Sequence, residues 1–448
     1  MTIRTLMANK KYNVIIIGAR CAGATLAIYL ARAGLSVLLL DKDELPSDQV
    51  LSTHTIHPPG IDILDEVGVG KAIREVCPPS RIMRLSKNGN AVDIMHSEGR
   101  AEYCPRRKRL DGLLQDAALK EGVELLARTR LIKIEFENGR VSGVRVVNSN
   151  TSEELDFKTD LVIGADGRHS SVAQMVQAPE YLGYDAPRGM YWAYWNAPGI
   201  WKTDARYSFD MYQGNTFGNV RVVFQTDHDQ LLIGSLPSTE KAQSWRLDPL
   251  TSLIADLSSD PVIAPLIEGS NPDGKVRGTI KERFFFRQGV GPGWALVGDA
   301  GHHKEFVIGD GITEALLQAR SLSAAIITGS DKAMVRWWRA RDVEALPLFY
   351  LGQDEGSLVP PGYLDGLVLK KMDKDTELKK RMALVMEHKL SPFDAFPVSK
   401  VFKWTLGAAL RGKLGVILEF FAKGKRASFV NRQLKGRMKL LSEVESTT

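Results

Sequence analysis

The stretch Val14-Ile-Ile-Ile-Gly18-Ala-Arg-Cys-Ala-Gly23 decides the fold of this chain. Its first four residues are apolar and β-branched, which is typical of a short parallel strand that is buried on both faces. A glycine-rich turn, a helix-patterned segment and a second apolar run ending in Asp41 follow. This order predicts a strand–helix–strand unit that binds a dinucleotide at the start of its helix.

The residue types in and after this turn each have a structural or binding role. Gly18 permits the tight turn out of the strand, and Gly23 allows the helix to pack closely on the sheet. Asp41 lies where a carboxylate accepts hydrogen bonds from ribose hydroxyls. Arg20 replaces the middle glycine of the usual pattern, so we expect its side chain to turn away from the phosphates or to neutralise them. Cys21 is interpreted as a small buried thiol.

Composition excludes several classes of protein. The chain has 448 residues and three cysteines, Cys21, Cys77 and Cys104, which are too few for a disulfide scaffold and show no metal-ligand spacing. We therefore expect no metal site. The net charge of +6 suits an anionic cofactor, and the absence of an arginine-rich tail argues against nucleic acid as a partner. Met1–Tyr12 lacks the pattern of a signal peptide, so a cytoplasmic protein is expected.

Two further motifs lie downstream of the first turn. One is Gly164-Ala-Asp166-Gly167, and the other is Gly298-Asp299-Ala-Gly-His302-His-Lys-Glu-Phe306-Val-Ile-Gly309-Asp-Gly311-Ile312. Taken in order, the three motifs resemble the fingerprints of the flavin-dependent aromatic hydroxylase superfamily, the para-hydroxybenzoate hydroxylase-like group. The resemblance spans about residues 12–330. The Gly-Ala-Arg-Cys-Ala-Gly form of the first motif resembles a recurrent subgroup of bacterial FAD-dependent oxidoreductases.

The resemblance implies FAD as cofactor and NADPH or NADH as reductant, without a separate nicotinamide-binding domain. It places Asp299 at the ribityl hydroxyls, Arg109 at the diphosphate, and the N–H groups near Gly309 and Gly311 at the flavin pyrimidine oxygen. By contrast, Arg106, Arg107 and Lys108 are interpreted as a solvated basic face. The residues implied to contact FAD are Gly18, Arg20, Cys21, Ala22, Gly23, Asp41, Lys42, Arg109, Asp166, Gly167, Asp299, Gly309, Gly311 and Ile312.

The expected fold class is α/β, with a Rossmann-like FAD-binding domain interleaved with an antiparallel-sheet substrate domain. Aromatic and β-branched residues dominate 190–236, which predicts the second sheet. A helical C-terminal region follows. The expected boundaries are 12–185 for the first FAD-binding part, with a small strand insertion near 80–105, then 186–285 for the substrate domain, 286–330 for the last FAD-binding part and 331–448 for the helical region.

The third motif departs from the superfamily at Phe306, where a proline usually follows the motif histidine by four residues. No catalytic side chain is assigned from the sequence. His302, His303 and Phe306 are candidates as pocket residues, although a histidine beside a flavin is more often a packing residue. His54 and His57 are interpreted in the same way, with a loop-stabilising role slightly favoured.

The leading hypothesis is a NAD(P)H-dependent monooxygenase that hydroxylates an aromatic, polyketide or similar electron-rich small molecule through a flavin C4a-hydroperoxide. An FAD-dependent reductase of isoprenoid double bonds, similar to geranylgeranyl reductases, is the strongest alternative. A flavin-dependent halogenase is a second alternative, but Trp192-Ala-Tyr-Trp195 does not match the Trp-x-Trp-x-Ile-Pro signature of that class. A non-catalytic flavoprotein is the third.

The C-terminal segment 400–439 contains eleven lysines and arginines and one acidic residue, Glu419. No uncharged run in it is long enough to cross a bilayer. Two interpretations remain. One is a basic amphipathic helix that makes peripheral contact with an anionic membrane. The other, which the sequence favours, is a helix packed on the protein with a solvated basic face.

Overall fold

A computed structural model of the chain describes residues 10–47, 54–216 and 218–446. Its centre is a six-stranded sheet with the order β18-β19-β10-β2-β3-β6, parallel except for the pairing of β18 with β19. These strands are β2 (Val14–Ile17), β3 (Val37–Leu40), β6 (Glu124–Leu126), β10 (Val162–Gly164), β18 (Val290–Gly291) and β19 (Trp294–Leu296).

The strands that precede the three sequence motifs are neighbours in this sheet. β10 lies between β2 and β19, with Ile163 paired to Ile16 on one side and to Ala295 on the other. All four residues of β2 are buried, as expected for a strand covered on both faces. Because the three strands are parallel and in register, the turns after them meet at one edge of the sheet.

Helices cover one face of this sheet, and a smaller sheet packs against the other face. The helix Cys21–Arg32 packs between the helices Arg107–Lys120 and Gly311–Ile327. Ala24, Ala27 and Leu30 are fully buried in that contact region. Among the described residues before 331, the other α-helices are Pro58–Glu66, Gly70–Val76, Ser171–Met175, Gly199–Thr203, Thr239–Ser244, Pro249–Leu257 and Ala264–Ile267.

A seven-stranded sheet forms the second large layer, with the order β16-β12-β15-β14-β13-β4-β5. Its strands are β4 (Ile82–Lys87), β5 (Asn90–Met95), β12 (Met190–Asn196), β13 (Met211–Thr216), β14 (Asn219–Thr226), β15 (Gln230–Leu236) and β16 (Asp273–Thr279). All pairs are antiparallel except β4 with β13. The strands expected as an insertion near 80–105 therefore complete this sheet, because β4 pairs with β13 across a long sequence separation.

Two smaller sheets complete the strand structure of the described residues. One has the order β1-β9-β8-β7 and consists of β1 (Lys11–Tyr12), β7 (Thr129–Glu137), β8 (Arg140–Asn148) and β9 (Glu154–Thr159). The other has the order β11-β17-β20 and consists of β11 (Glu180–Asp185), β17 (Arg283–Arg287) and β20 (His302–His303). The second sheet holds His302 opposite Phe286 and His303 opposite Phe285.

The C-terminal region is helical, with helices at Asp331–Glu355, Tyr363–Met372, Thr376–Met386, Val398–Ala409 and Gly415–Ser446. The helix Asp331–Glu355 packs against Gly415–Ser446 and buries Phe349 against Phe284 and Phe286. Within the described ranges, no helix combines the length and apolar character that a membrane span requires. The predicted α/β class with a helical C-terminal region is confirmed, and the predicted domain boundaries remain a prediction.

Candidate active site

A cavity of about 670 Å³ opens at the edge of the six-stranded sheet where the three motif turns meet. Twelve of the fourteen residues that the sequence implied for FAD lie in its wall. They are Gly18, Arg20, Cys21, Ala22, Asp41, Lys42, Asp166, Gly167, Asp299, Gly309, Gly311 and Ile312. Gly23 and Arg109 are outside the wall. The structure thus brings together residues from three distant segments in one site.

The first turn depends on its two glycines. Gly18 has a φ of +107°, and a Cβ atom placed on it would collide with the carbonyl oxygen of Ala165 in the neighbouring motif. A Cβ atom on Gly23 would collide with the carbonyl oxygen of Gly18. Gly23 therefore acts through the close packing of the helix on the turn, while Gly18 borders the cavity itself.

Asp41 is held rigidly at the end of β3. Its side chain is buried, Oδ2 accepts a hydrogen bond from the Ala19 N–H at 2.8 Å, and Oδ1 accepts one from the Asp43 N–H at 2.9 Å. These bonds fix the carboxylate beside the glycine turn. This position fits the ribose-binding role that the sequence predicts.

Arg20 points toward the residues that follow Asp41. Its Nη2 donates to Oδ2 of Asp43 at 2.8 Å and its Nε donates to Oγ of Ser47 at 3.1 Å. The guanidinium lines the cavity but is paired with an acid. The expectation that this side chain turns away from the glycine turn agrees with this geometry.

The arginine implied for the diphosphate is placed differently from the prediction. Arg109 is exposed on the helix Arg107–Lys120, whereas Arg107 is buried in the cavity wall. Two residues apart on a helix, the side chains point to nearly opposite sides. The interpretation of Arg107 as part of a solvated face is therefore wrong. Lys108 is exposed as predicted, and Arg106 is half-buried with its guanidinium over the Tyr194 ring.

Arg107 forms a buried ion pair that also supports the first helix. Its Nη2 donates to Oδ2 of Asp111 at 2.9 Å, and Oδ1 of Asp111 accepts from the Cys21 N–H at 3.1 Å. Burial raises the pKa of Cys21 to about 11, so this residue is a neutral thiol at neutral pH. Arg107 thus presents a fixed positive charge at the start of Cys21–Arg32, where a diphosphate is also favoured by the helix N-terminus.

The two carboxylate oxygens of Asp166 have different surroundings. Oδ2 accepts hydrogen bonds from the N–H and the hydroxyl of Ser171, both at 2.7 Å, and so caps a short helix. Oδ1 is buried and has no hydrogen-bond partner among the described residues. An unpaired buried acceptor in a cavity wall fits a site that receives donors from a bound molecule.

The third motif supplies the opposite wall. The Gly298 N–H donates to Oε1 of Gln318 at 3.0 Å, which holds the turn before the half-buried Asp299. Gly309 has a φ of +64°, and Gly311 begins the 17-residue helix Gly311–Ile327. The positive end of that helix faces the same cavity as the start of Cys21–Arg32. Two helix N-termini, the three acids Asp41, Asp166 and Asp299, and Arg107 form a donor and acceptor set that fits FAD.

A buried ionic network surrounds the start of the helix Gly311–Ile327. Lys304 pairs through Nζ with Asp310 and with Oε1 of Glu314, the latter at 2.5 Å. His302 contacts Oε2 of Glu314 through Nδ1 at 3.1 Å, and Nε2 of His388 contacts Oδ1 of Asp310 at 2.8 Å. Sequence reasoning did not identify this network, since its members come from the motif loop and from the C-terminal region.

The two motif histidines line the cavity but are also engaged in packing. Burial lowers the pKa of His302, whose ring stacks on Phe286 with a centroid distance of 4.2 Å. His303 contacts the carbonyl oxygen of Arg283 through Nδ1 at 3.0 Å. His302 is therefore neutral at pH 7, and both rings are held by β17. This arrangement matches the packing interpretation of these residues.

His54 and His57 lie outside the cavity wall. His57 contacts Oε1 of Glu102 at 2.9 Å, and His96 contacts the same oxygen at 2.7 Å. Burial alone would lower the pKa of His57, but Glu102 outweighs it and raises the value to about 9. His54 bonds to the Tyr194 hydroxyl. Both side chains tie the 54–57 segment to neighbouring elements, as the loop-stabilising interpretation expects.

The far end of the cavity is apolar. Phe306 is half-buried there, with its ring edge-to-face against Phe284 at a centroid distance of 5.7 Å. Met190 of β12 faces the same cavity and is fully buried. Both residues belong to a core that also contains Trp192 and Val307. The seven-stranded sheet therefore contributes Met190 of β12 to this part of the cavity wall.

Glu305 is an unusual neighbour of this apolar end. It lines the cavity, is 1% exposed, and neither of its carboxylate oxygens has a hydrogen-bond partner among the described residues. The group packs where Gly356 leaves room for it. Burial raises the pKa of Glu305 to about 8, so the acid is mostly protonated at neutral pH. The sequence carries no signal for this burial, because the packing partner lies in a distant helix.

The fold and the cavity agree with what the chain resembles. It belongs to the FAD binding domain family, whose sequence profile matches residues 11–328. FAD is therefore the cofactor of this site. The family assignment accounts for the three motif turns, since they occupy the matched region and converge on one cavity.

Curated relatives of two kinds are similar to parts of the chain. The FAD-dependent monooxygenase dpmaE of Metarhizium anisopliae is 31% identical over 172 residues, which cover 37% of this chain and 36% of that protein. Digeranylgeranylglycerophospholipid reductase of Methanocella arvoryzae is 27% identical over 319 residues, covering 69% of this chain and 76% of the reductase. The chain spans about a third to a half of the length of the first curated relatives it matches.

Among solved structures, the flavin-dependent brominase Bmp2 has a similar fold. Its TM-score is 0.71 at 14% identity, and the superposition covers 90% of this chain and all of the brominase chain. A likeness at that identity shows a shared fold alone.

Proposed function

We propose that the chain is an FAD-dependent monooxygenase that takes electrons from NADPH or NADH and hydroxylates an aromatic, polyketide or similar electron-rich small molecule. The observation that carries this proposal is the apolar part of the cavity wall that Phe306 and Met190 form beside the third motif. A site that excludes water protects reactive cofactor states from side reactions and orients an apolar substrate. The similarity to a fungal FAD-dependent monooxygenase supports the same activity.

The bound FAD supplies the electron transfer and the oxygen chemistry. This chain supplies the rest. Asp41 and Asp299 are proposed to accept hydrogen bonds from hydroxyl groups of the cofactor, and Arg107 to neutralise its diphosphate. The start of the helix Gly311–Ile327 favours negative charge at the reacting end of the cavity. Phe306 and Met190 hold the substrate and exclude water.

An FAD-dependent reductase of isoprenoid double bonds is the second candidate. It is favoured by the alignment with the archaeal reductase, which extends over 69% of this chain. Phe306 in place of the superfamily proline suits a site that binds hydrocarbon. The two activities differ in what they consume, because a monooxygenase uses molecular oxygen and a reductase does not.

The test is to purify the protein with its flavin and to follow NADPH and NADH oxidation together with oxygen consumption. Phenolic, polyketide and isoprenoid compounds are supplied as substrates under ¹⁸O₂. We expect substrate-dependent oxygen uptake and one labelled oxygen atom in the product. A product that gains two hydrogens without oxygen uptake would establish the reductase instead. A halogenated product that requires added halide would establish a halogenase.

Loss of the cofactor provides a control for this test. Asp299→Ala removes a carboxylate from the cavity wall, and we expect purified protein with little bound FAD. Asp116→Ala changes an exposed acid on the helix Arg107–Lys120 and should retain the yellow colour. Wild-type protein that binds no FAD and gains no thermal stability from it would refute the proposed function.

We also propose that the chain works in the cytoplasm. The three cysteines are free and buried, which fits a reducing compartment. Fractionation of the native host would test this, and recovery of the protein from an extracellular fraction would contradict it.

A further inference from the structure

The helical C-terminal region carries an exposed row of large apolar side chains. We call this row the crest, and it consists of Val398, Phe402, Leu406, Leu410, Leu414 and Leu418. Their exposed fractions range from 50% at Leu406 to 80% at Leu410. Scattered exposed leucines are normal on protein surfaces, but a continuous series marks an interaction surface.

The helix Val398–Ala409 exposes several large apolar side chains to solvent. Thr405, Ala408 and Ala409 are buried against the protein, whereas Phe402 and Leu406 point to solvent. Residues four apart lie on the same face of a helix, so Val398 joins Phe402 and Leu406 in one stripe. A surface helix normally buries its large apolar residues and exposes small or polar ones. The packing of this helix therefore buries Trp404 in part but leaves Val398, Phe402 and Leu406 at least half exposed.

The crest continues onto the next helix. The rings of Phe402 and Phe420 are in contact, with a centroid distance of 5.8 Å, and this contact joins Val398–Ala409 to Gly415–Ser446. Leu414 precedes the second helix and is 67% exposed, and Leu418 in its first turns is 75% exposed. The two helices thus present one apolar surface rather than two isolated patches.

Positive charge surrounds the crest. Residues 398–425 contain six lysines and arginines and one acidic residue, Glu419. The Glu419 carboxylate accepts hydrogen bonds from the backbone N–H groups of Tyr363 and Leu364, at 3.2 and 2.7 Å, so it is engaged inside the protein. Lys403 and Lys413 are exposed beside crest residues. The surface therefore combines an apolar row with an excess of cationic side chains.

We propose that the crest docks on an anionic lipid bilayer, with the two helices lying in the plane of the interface. Large apolar side chains enter the boundary between headgroups and acyl chains, and flanking lysines and arginines contact lipid phosphates. Protein interfaces are depleted in lysine, which disfavours a protein partner for a surface of this composition. The surface lies apart from the proposed reaction, so binding requires neither substrate nor turnover.

The segment 400–439 differs in one respect from what its sequence indicates. The sequence favoured a helix packed on the protein with a solvated basic face. The structure has both features: Trp404, Thr405 and Ala408 pack on the protein, while the crest residues of the same helix are at least half exposed. Leu410 and Leu414, in the connection between the two helices, are 80% and 67% exposed, so packing on the protein does not account for them.

The test is vesicle flotation of the full-length flavin-loaded protein. Vesicles of phosphatidylcholine alone are compared with vesicles that also contain phosphatidylglycerol. We expect binding to the mixed vesicles that weakens as salt is added, because exposed charges are screened. We expect Leu410→Ser, Leu414→Ser and Leu418→Ser together to lower the partition coefficient about tenfold or more. A matched control changes exposed leucines elsewhere, Leu247→Ser with Leu119→Ser, and should bind like wild type.

A second set of variants isolates the charge. Lys403→Gln, Arg411→Gln and Lys413→Gln together should weaken binding about tenfold or more and reduce its salt dependence. Three exposed lysines away from the crest, Lys108, Lys120 and Lys332, serve as the control when changed to Gln. These charge variants also test the proposal if the triple serine variant does not fold.

Two results would overturn the proposal. Wild-type protein that fails to float with mixed vesicles at low salt excludes membrane docking. A second copy as the occupant is indicated if wild type sediments as a dimer, the serine variant sediments as a monomer, and neither binds vesicles. Neither result touches the oxygen-consumption test, so failure of the docking surface and failure of the proposed activity can be told apart.

Discussion

Replacing Arg107 by Met tests the central assignment of the cofactor site. Arg107 is buried and bonded to Asp111, so removing it leaves an acid without its partner in the interior. Breaking a buried ion pair in this way costs about 3–5 kcal/mol of stability. Loss of charge-assisted bonds to the diphosphate should cost a further ~1.5–3 kcal/mol of binding, which corresponds to FAD affinity about ten- to hundredfold weaker.

A double variant separates the two effects. Arg107→Met with Asp111→Leu removes both charges, and replacing a buried pair by apolar residues is often neutral for stability. Asp111 also accepts from the Cys21 N–H, so about 1–3 kcal/mol of the loss should remain. We expect the double variant to regain part of the stability while its FAD affinity stays low, because no positive charge is restored.

Arg109→Met is the matched control, since this residue is exposed on the same helix. FAD dissociation constants are measured by titration of deflavinated protein, and stability by urea unfolding of the same samples. An FAD affinity for Arg107→Met within twofold of wild type would refute the role given to Arg107. A loss for Arg109→Met as large as that for Arg107→Met would show that the helix is turned differently from the structure.

Three further variants test other parts of the molecule. Because the pKa of Glu305 is raised in the folded protein to about 8, the free energy of unfolding should fall as the pH rises from about 5 to 8. Glu305→Gln should flatten that decline when urea unfolding is measured across this pH range. An unchanged dependence of stability on pH would contradict the burial of a protonated Glu305. Glu102→Gln should lower the free energy of unfolding by about 3–5 kcal/mol at pH 7. It should also remove the stabilisation by protonated His57, which in the wild type is lost as the pH rises through the raised pKa of about 9. Nuclear magnetic resonance titration of His57 measures that pKa, and a value that stays near 9 in the variant would argue against the ion pair. Gly23→Ala should lower the melting temperature and FAD content because its Cβ would meet a backbone carbonyl, whereas Gly424→Ala, in open space within the last helix, should not destabilise; equal effects at both positions would count against close packing at the turn.

The residues whose meeting in one cavity wall could be expected from the sequence lie in local turns. Gly18, Asp41 and Asp166 follow buried strands, and parallel strands bring their carboxyl ends together at one sheet edge. The local order of residues was therefore enough to predict that these three residues lie at one sheet edge. Asp299 and Gly311 were found in the same way, since a strand pattern precedes the one and a helix pattern follows the other.

Other features depended on information that no short segment contains. Arg107 and Arg109 differ only in the rotational phase of their helix, which is set by where the helix starts and what it packs against. His388 and Asp310 are separated by 78 residues and meet through the fold of the C-terminal region. The exposure of Leu410 and Leu418 could not be predicted, because an apolar periodic pattern looks the same whether its face is covered or open.

The neighbouring strands β2, β10 and β19 of the central sheet are synthesised at widely separated times. β2 ends at Ile17, but β19 begins only at Trp294, about 280 residues later. At about 5–20 residues per second, the ribosome needs roughly 15–55 s to deliver the last wall of the cavity. The nascent chain must keep the exposed edge of its central sheet from pairing wrongly over that interval. A cavity wall that includes the third motif is therefore complete only when about two thirds of the chain has been synthesised.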